Sequence, residues 1–143
     1  MLSIGAVRLP LPSGAEVQEN TAESLTFWIL GTPSSVFVLN RTIGGAADNT
    51  QYSGADTYST LFYSMMKKDK NGVSNVQEGA ATVGGIACAR LSFTYTNEDN
   101  KTVAFLGYAF IYNGDSYIMI TSTTGAAQSD TRITDSIAQL QIG

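Results

Sequence analysis

Ala89-Arg90-Leu91-Ser92-Phe93-Thr94-Tyr95-Thr96 is the stretch that decides the fold class. Ala89, Leu91, Phe93 and Tyr95 alternate with Arg90, Ser92, Thr94 and Thr96. Successive side chains leave a strand on opposite sides, so this is a half-buried strand with one polar face. Asn97-Glu98-Asp99-Asn100 then turns the chain. Lys101 to Tyr112 returns as a longer strand carrying Val103, Phe105, Tyr108, Phe110 and Tyr112. Gly107 interrupts it and predicts a bulge or a close contact. Asn113-Gly114 is the strongest turn signal in the chain, because a type I′ turn takes positive φ at both central residues. Asp115 to Thr123 completes a three-stranded antiparallel meander.

Upstream, Gly84-Gly85 is expected to open the first of these strands, where close backbone approach needs small residues. Val73 to Gly79 is read as a polar link. Before it, Tyr58, Leu61, Phe62, Met65 and Met66 recur at helical spacing and form one apolar stripe. Ser53 is placed to cap this helix, and Lys67, Lys68, Lys70, Asn71 and Gly72 supply its basic last turn and its stop. Residues 40–53 form the longest loop. Ser24 to Leu30 and Val36 to Leu39 read as a hairpin around Gly31-Thr32-Pro33-Ser34-Ser35, and the solid run Val36-Phe37-Val38-Leu39 suggests burial on both faces. Residues 4–9 read as one short edge strand before Pro10-Leu11-Pro12-Ser13-Gly14, with another beginning at Val17. Downstream, Ile133, Ile137 and Leu140 mark a final helix, capped by Ser129 or Asp130, that packs back on the sheet. The whole is an α+β fold: an antiparallel β-sheet packed with two main helices, as a single domain over residues 1–143.

The composition narrows the chemistry. Eight basic and twelve acidic residues leave a net charge of -4, which argues against a phosphate-backbone binder. With no histidine and one cysteine, Cys88, no zinc cluster is possible and Cys88 has no imidazole partner. Cys88 therefore reads as a core thiol. Asp48, Asn49 and Asp56 lack the dense ligand pattern of a calcium loop. Gly79, Gly84 and Gly85 match no phosphate loop. No cofactor is expected. A carboxylate hydrolase needs two acids within roughly 5–10 Å, and Asp99 and Asp115 sit at turns expected at opposite ends of the sheet.

Tyr95, Tyr108, Tyr112 and Tyr117 lie on adjacent strands and are the candidate interaction surface, since tyrosine combines an apolar face with a hydrogen-bonding tip. Tyr108 and Tyr112 share a face by parity. Ordinary sheet packing is the competing reading for all four. The expected partner is a protein, or a second copy paired through an exposed sheet edge. No run of apolar residues is long enough to span a bilayer. The N-terminus does not read as a signal peptide. That fits a cytoplasmic location, or an extracytoplasmic one if an upstream export signal has been removed. The functional expectation is a non-enzymatic binding or assembly module. A structural component of an envelope or particle, and a small hydrolase using carboxylates, are the alternatives.

Several stretches together resemble the Mog1/PsbP-like fold family. They are Leu9-Pro10-Leu11-Pro12-Ser13-Gly14, the Tyr58 to Met66 helix, Gly84 to Arg90, the Phe110 to Met119 hairpin and the Ile133 to Leu140 close. The resemblance implies an antiparallel sheet between helices. It also implies a non-enzymatic role, since that family includes a nuclear-transport GTPase partner, an extrinsic photosystem II subunit and many bacterial lipoproteins. It carries no shared catalytic set onto this chain.

Overall fold

The computed structural model describes residues 1–29, 35–44, 63–125 and 131–143. Ser53, Tyr58, Leu61, Phe62, the Asp48–Asn49–Asp56 group, residues 30–34 and the cap candidates Ser129 and Asp130 lie outside the described residues. The α+β class holds, with an antiparallel sheet carrying two helical segments, residues 63–67 and Arg132–Ala138.

Ten strands are described: β1 Leu2–Ile4, β2 Val7–Leu9, β3 Ala15–Asn20, β4 Ser24–Ile29, β5 Ser35–Thr42, β6 Asn71–Val83, β7 Ile86–Thr96, β8 Thr102–Tyr112, β9 Asp115–Thr124 and β10 Gln141–Ile142. Seven form one sheet in the order β3-β4-β5-β9-β8-β7-β6. The chain leaves β5 for the far edge and returns strand by strand until β9 closes on β5. The meander therefore has four strands rather than three. Residues 73–79 are not a link but part of β6, and Gly84-Gly85 is not a strand entry but the two-residue turn between β6 and β7. Both of its glycines sit at positive φ, 57° and 82°. Asn113-Gly114 does the same between β8 and β9, at 51° and 85°. No register shift occurs at Gly107, which faces Leu91 and Ile120 in regular pairing.

Residues 4–9 also fold differently from the expectation. They belong to a hairpin, β1 against β2, and β10 adds to β2 to make a separate three-stranded sheet. Gly143 N–H donates to Ala6 O at 2.9 Å, so both chain ends meet there.

Three aromatic pairs lie directly across from one another and help to fix the register. Phe27 stacks on Phe37 at 4.6 Å, Phe93 on Phe105 at 4.5 Å and Phe110 on Tyr117 at 5.0 Å between centroids. Such pairs contribute about 0.5–1.5 kcal/mol beyond the area they bury.

Alternation splits the core into two layers. On one face Leu25, Phe27, Phe37, Leu39, Met119, Tyr117, Phe110 and Cys88 pack with Ile4, Val7, Leu9, Ile133, Ile137 and Leu140. On the other, Ala89, Leu91, Phe93, Phe105 and Ala109 pack with Tyr63 and Met66 of the helical segment. Val36 and Val38 belong to this second face and are half-exposed, so β5 is buried on one face only. Met65, expected in the apolar stripe, is 46% exposed, whereas Met66 packs inward.

The C-terminal helix places Ile133 and Ile137 in the core as expected; Leu140 is buried too, but it lies past the helix end at Ala138 instead of within it. Its N-cap is Thr131, whose side chain makes no capping bond. Packing holds it instead, helped by Arg132 Nη1 donating to Ser13 O at 2.9 Å. A short helix owes most of its stability to such packing.

Candidate functional site

The four tyrosines do not form one surface. Tyr117 is 1% exposed, stacks on Phe110 and accepts a hydrogen bond from Ala6 N–H at 3.2 Å. Tyr108 and Tyr112 share its face of the sheet and are half-buried against the same core. Tyr95 is on the opposite face, beside Phe93, with Lys70 Nζ 5.5 Å above its ring. The geometry follows from parity: β8 and β9 bring Tyr108, Tyr112 and Tyr117 to one side, while Tyr95 is an odd-numbered residue on β7, whose odd positions face the other way. Two lysines of the Lys67, Lys68 and Lys70 cluster are likewise engaged within the chain. Lys70 covers Tyr95 and Phe105, and Lys67 pairs with Glu78.

A polar cluster joins neighbouring strands β5 and β9 of the sheet. Arg41 at the end of β5 contacts Asp115 at the start of β9, with Nε 2.9 Å and Nη2 2.8 Å from Oδ2. Gly44 N–H donates to Asp115 Oδ1 at 2.9 Å, and Arg41 Nη1 donates to Ala22 O at 3.2 Å. The Gly44 amide and the Arg41 guanidinium hold the Asp115 carboxyl below its ordinary range. Asp115 in turn raises Arg41. A side chain at Gly5 would strike Tyr117 Oη and lie 2.8 Å from Arg41 Nε. This constellation ties four chain segments together, and every strong acceptor of Asp115 is engaged. Asp99 is at the opposite end of the sheet, in the β7–β8 turn, and does not meet it.

Among the described residues, no group of three or more His, Cys, Asp or Glu side chains converges to hold a metal ion. Cys88 is buried, and that burial pushes its thiol pKa up, away from the reactive thiolate. No described helix is long and apolar enough to cross a membrane.

What remains is a sheet edge that the alternation pattern does not reveal. β6 runs for 13 residues at one end of the seven-stranded sheet. Its first part is irregular, with register shifts on either side of Ser74. From Gln77 to Val83 it pairs residue for residue with β7. Residues 77–80 and 82 are exposed, and only Glu78 is charged. The Tyr63 hydroxyl donates to Gly79 O at 2.8 Å and Lys67 pairs with Glu78, which docks the helical segment beside this edge. The sequence did hold a signal for it: Val83-Gly84-Gly85-Ile86 is a two-residue hairpin turn, and the residues before it must then be a strand.

No family model matches the chain, and no curated protein matches it. Solved structures of bacterial proteins share its fold. LpqN of Mycobacterium tuberculosis, involved in cell envelope biogenesis, superposes with a TM-score of 0.61 at 15% identity over 95% of this chain and 82% of that one. PA94 of Pseudomonas aeruginosa, a protein of unknown function and putative regulator, gives 0.62 at 15% identity over 94% of each chain. A Bacteroides thetaiotaomicron VPI-5482 protein gives 0.61 at 14% identity; all of this chain is covered, but only 47% of that protein. At such identities the likeness is one of fold, a distant α+β architecture shared among bacterial proteins. None of the three identifies the Mog1/PsbP-like family.

Proposed function

We propose that this chain is a non-enzymatic binding or assembly module of Mog1/PsbP-like type, and that it engages protein through the outer edge of β6. The observation that carries the reading is the nearly neutral segment Gln77–Val83, exposed at residues 77–80 and 82 and, among the described residues, paired on its inner side only. An edge of this kind offers backbone donors and acceptors in register for another strand. The commitment of Asp115 to Arg41 and Gly44 weighs against a hydrolytic role for that carboxylate. LpqN's part in cell envelope biogenesis is compatible with an assembly role here, and the shared fold is the extent of that support.

The test is selection of displayed peptides against the whole chain and against its Ala80→Pro variant. Extended segments should be recovered by the parent and lost at least about tenfold by the variant, since proline removes a donor from the edge. Recovery of binders indifferent to Ala80→Pro, or of no binder at all, would count against strand addition at β6.

A further inference from the structure

We propose that the occupant of the β6 edge is a second copy of this chain, paired antiparallel about a two-fold axis at Ala80. The inference rests on the edge-binding reading above and goes further by naming the partner and the register.

The backbone supplies the first argument. Val83 and Ile86 flank a two-residue turn, so they form a hydrogen-bonded pair. Pairs alternate along an antiparallel ladder, which turns the backbone groups of Val83, Ala81, Gly79 and Gln77 inward to β7. Glu78, Ala80 and Thr82 then present their N–H and C=O groups outward. These are the groups an added strand uses.

The side chains supply the second. Recognition of a foreign strand draws specificity from pockets for alternate side chains. Here the edge carries Gly79, Ala80 and Ala81, which form no pockets. Selection must come from matching backbone twist and from charge, and a second β6 matches its own twist.

Charge sets the register. Centring the axis on Glu78 would oppose two carboxylates, which is unfavourable for facing residues. Centring it on Thr82 would leave Glu78 beyond the turn of the other copy. Centring it on Ala80, the midpoint of the regular span Gln77–Val83, sets each Glu78 opposite a Thr82 and faces all three outward residues with outward residues. Glu78 is also neutralised by Lys67 within its own chain. The exposed Met65 on the helical segment docked at this edge adds apolar surface beside the seam.

Sedimentation of the full chain over a concentration series reaching about 1 mM, the weak end of specific association, tests the proposal. The apparent mass should climb from 15.2 kDa toward twice that value. Ala80→Pro and Ala80→Lys should each hold it at one chain, the first by removing an outward donor and the second by opposing two cations. The Ala80 backbone groups face away from β7, so both variants should still melt cooperatively, and circular dichroism checks this. Amide exchange at Ala80 should slow with concentration in the parent. A parent that stays at one chain throughout, or a dimer that both variants leave intact, overturns the proposal. If the parent is monomeric yet displayed peptides bind and Ala80→Pro abolishes them, the second-copy inference falls and the edge-binding reading stands. If the dimer persists in both variants and no peptide depends on Ala80, both fall.

Discussion

The two edges of the seven-stranded sheet are guarded in opposite ways. β3 carries Glu16, Gln18 and Glu19 on six residues, and its pairing with β4 shifts between Val17 and Glu19. Charge and a bulge are both devices that keep an edge from pairing. β6 has two irregularities of the same kind, but they lie before Gln77. From Gln77 onward it is regular, small-sided and neutral apart from a paired Glu78. The difference teaches that edge protection is local. Half of β6 is irregular like β3, and among the described residues the other half has no strand on its outer side.

The largest effect should separate the inner side of the open edge from its outer side. Ala81→Pro removes a donor facing β7 and leaves its partner acceptor unpaired. The cost should be about 3 kcal/mol, the upper end for stranding a polar group. Ala80→Pro removes a donor that faces outward, and should cost less than about 1 kcal/mol, as proline is tolerated on edge strands. Urea titration of the two variants reads the contrast. Equal losses would mean that the inward and outward residues of β6 have been assigned wrongly.

Next comes the tip that holds the open edge in place. Gly84 sits at φ 57°, and a Cβ there would lie 2.9 Å from Ile142 Cγ1 and 3.1 Å from Leu140 Cδ2. Left-handed backbone alone costs an alanine about 1–2 kcal/mol. Gly84→Ala should lose at least that much in thermal unfolding. Gly85 has nothing within 4 Å of a built Cβ. Gly85→Ala should therefore pay for backbone strain alone, and the difference between the two measures how firmly the β6–β7 tip is seated on the C-terminal segment.

The same contrast explains what the sequence makes legible. β7, β8 and β9 are readable because burial forces alternation: Leu91, Phe93 and Phe105 go in, while Ser92, Thr94 and Ala104 stay half-covered. The final helix is readable from Ile133 and Ile137 for the same reason. β6 buries almost nothing except Val83, so it has no apolar period, and Gly79-Ala80-Ala81 are poor strand formers. Its one neighbour β7, and not its own residues, makes it a strand. β10 is two residues long and depends on β2 in the same way. Tyrosine content alone does not bring the four rings together, because parity decides which side a ring takes, and stacking on Phe110 draws Tyr117 inside. The Arg41–Asp115 pair joins residues far apart in the chain, so no local pattern announces it.

That pair forms the seam between the two edges, and acid should loosen it while leaving either edge alone. Asp115 has a depressed folded-state pKa, so its stabilisation is present in full above the unfolded value of about 4. It is lost as pH falls from there through the lower folded value. Gly44 N–H donates to this carboxylate, and its exchange should speed up relative to Thr121 N–H over that range. Asp115→Asn should flatten the acid limb of the stability curve. A parent whose acid limb matches that variant would mean that the pair contributes no pH dependence.

The smallest expected effect tests which of its two guards closes β3. In an Ala80→Pro background the β6 edge is blocked, so any remaining association reports on other surfaces. Replacing Glu16 and Glu19 by threonine removes the charge but keeps the Val17/Glu19 shift. Surface changes of this kind should move stability by no more than about 0.5 kcal/mol. The apparent mass should stay at one chain, because a bulge breaks the spacing of the outward donors and acceptors whatever the side chains are. A rise toward two chains would assign the protection of β3 to charge. The neutrality of Gln77–Val83 would then be the feature that sets the open edge apart, more than its regular pairing.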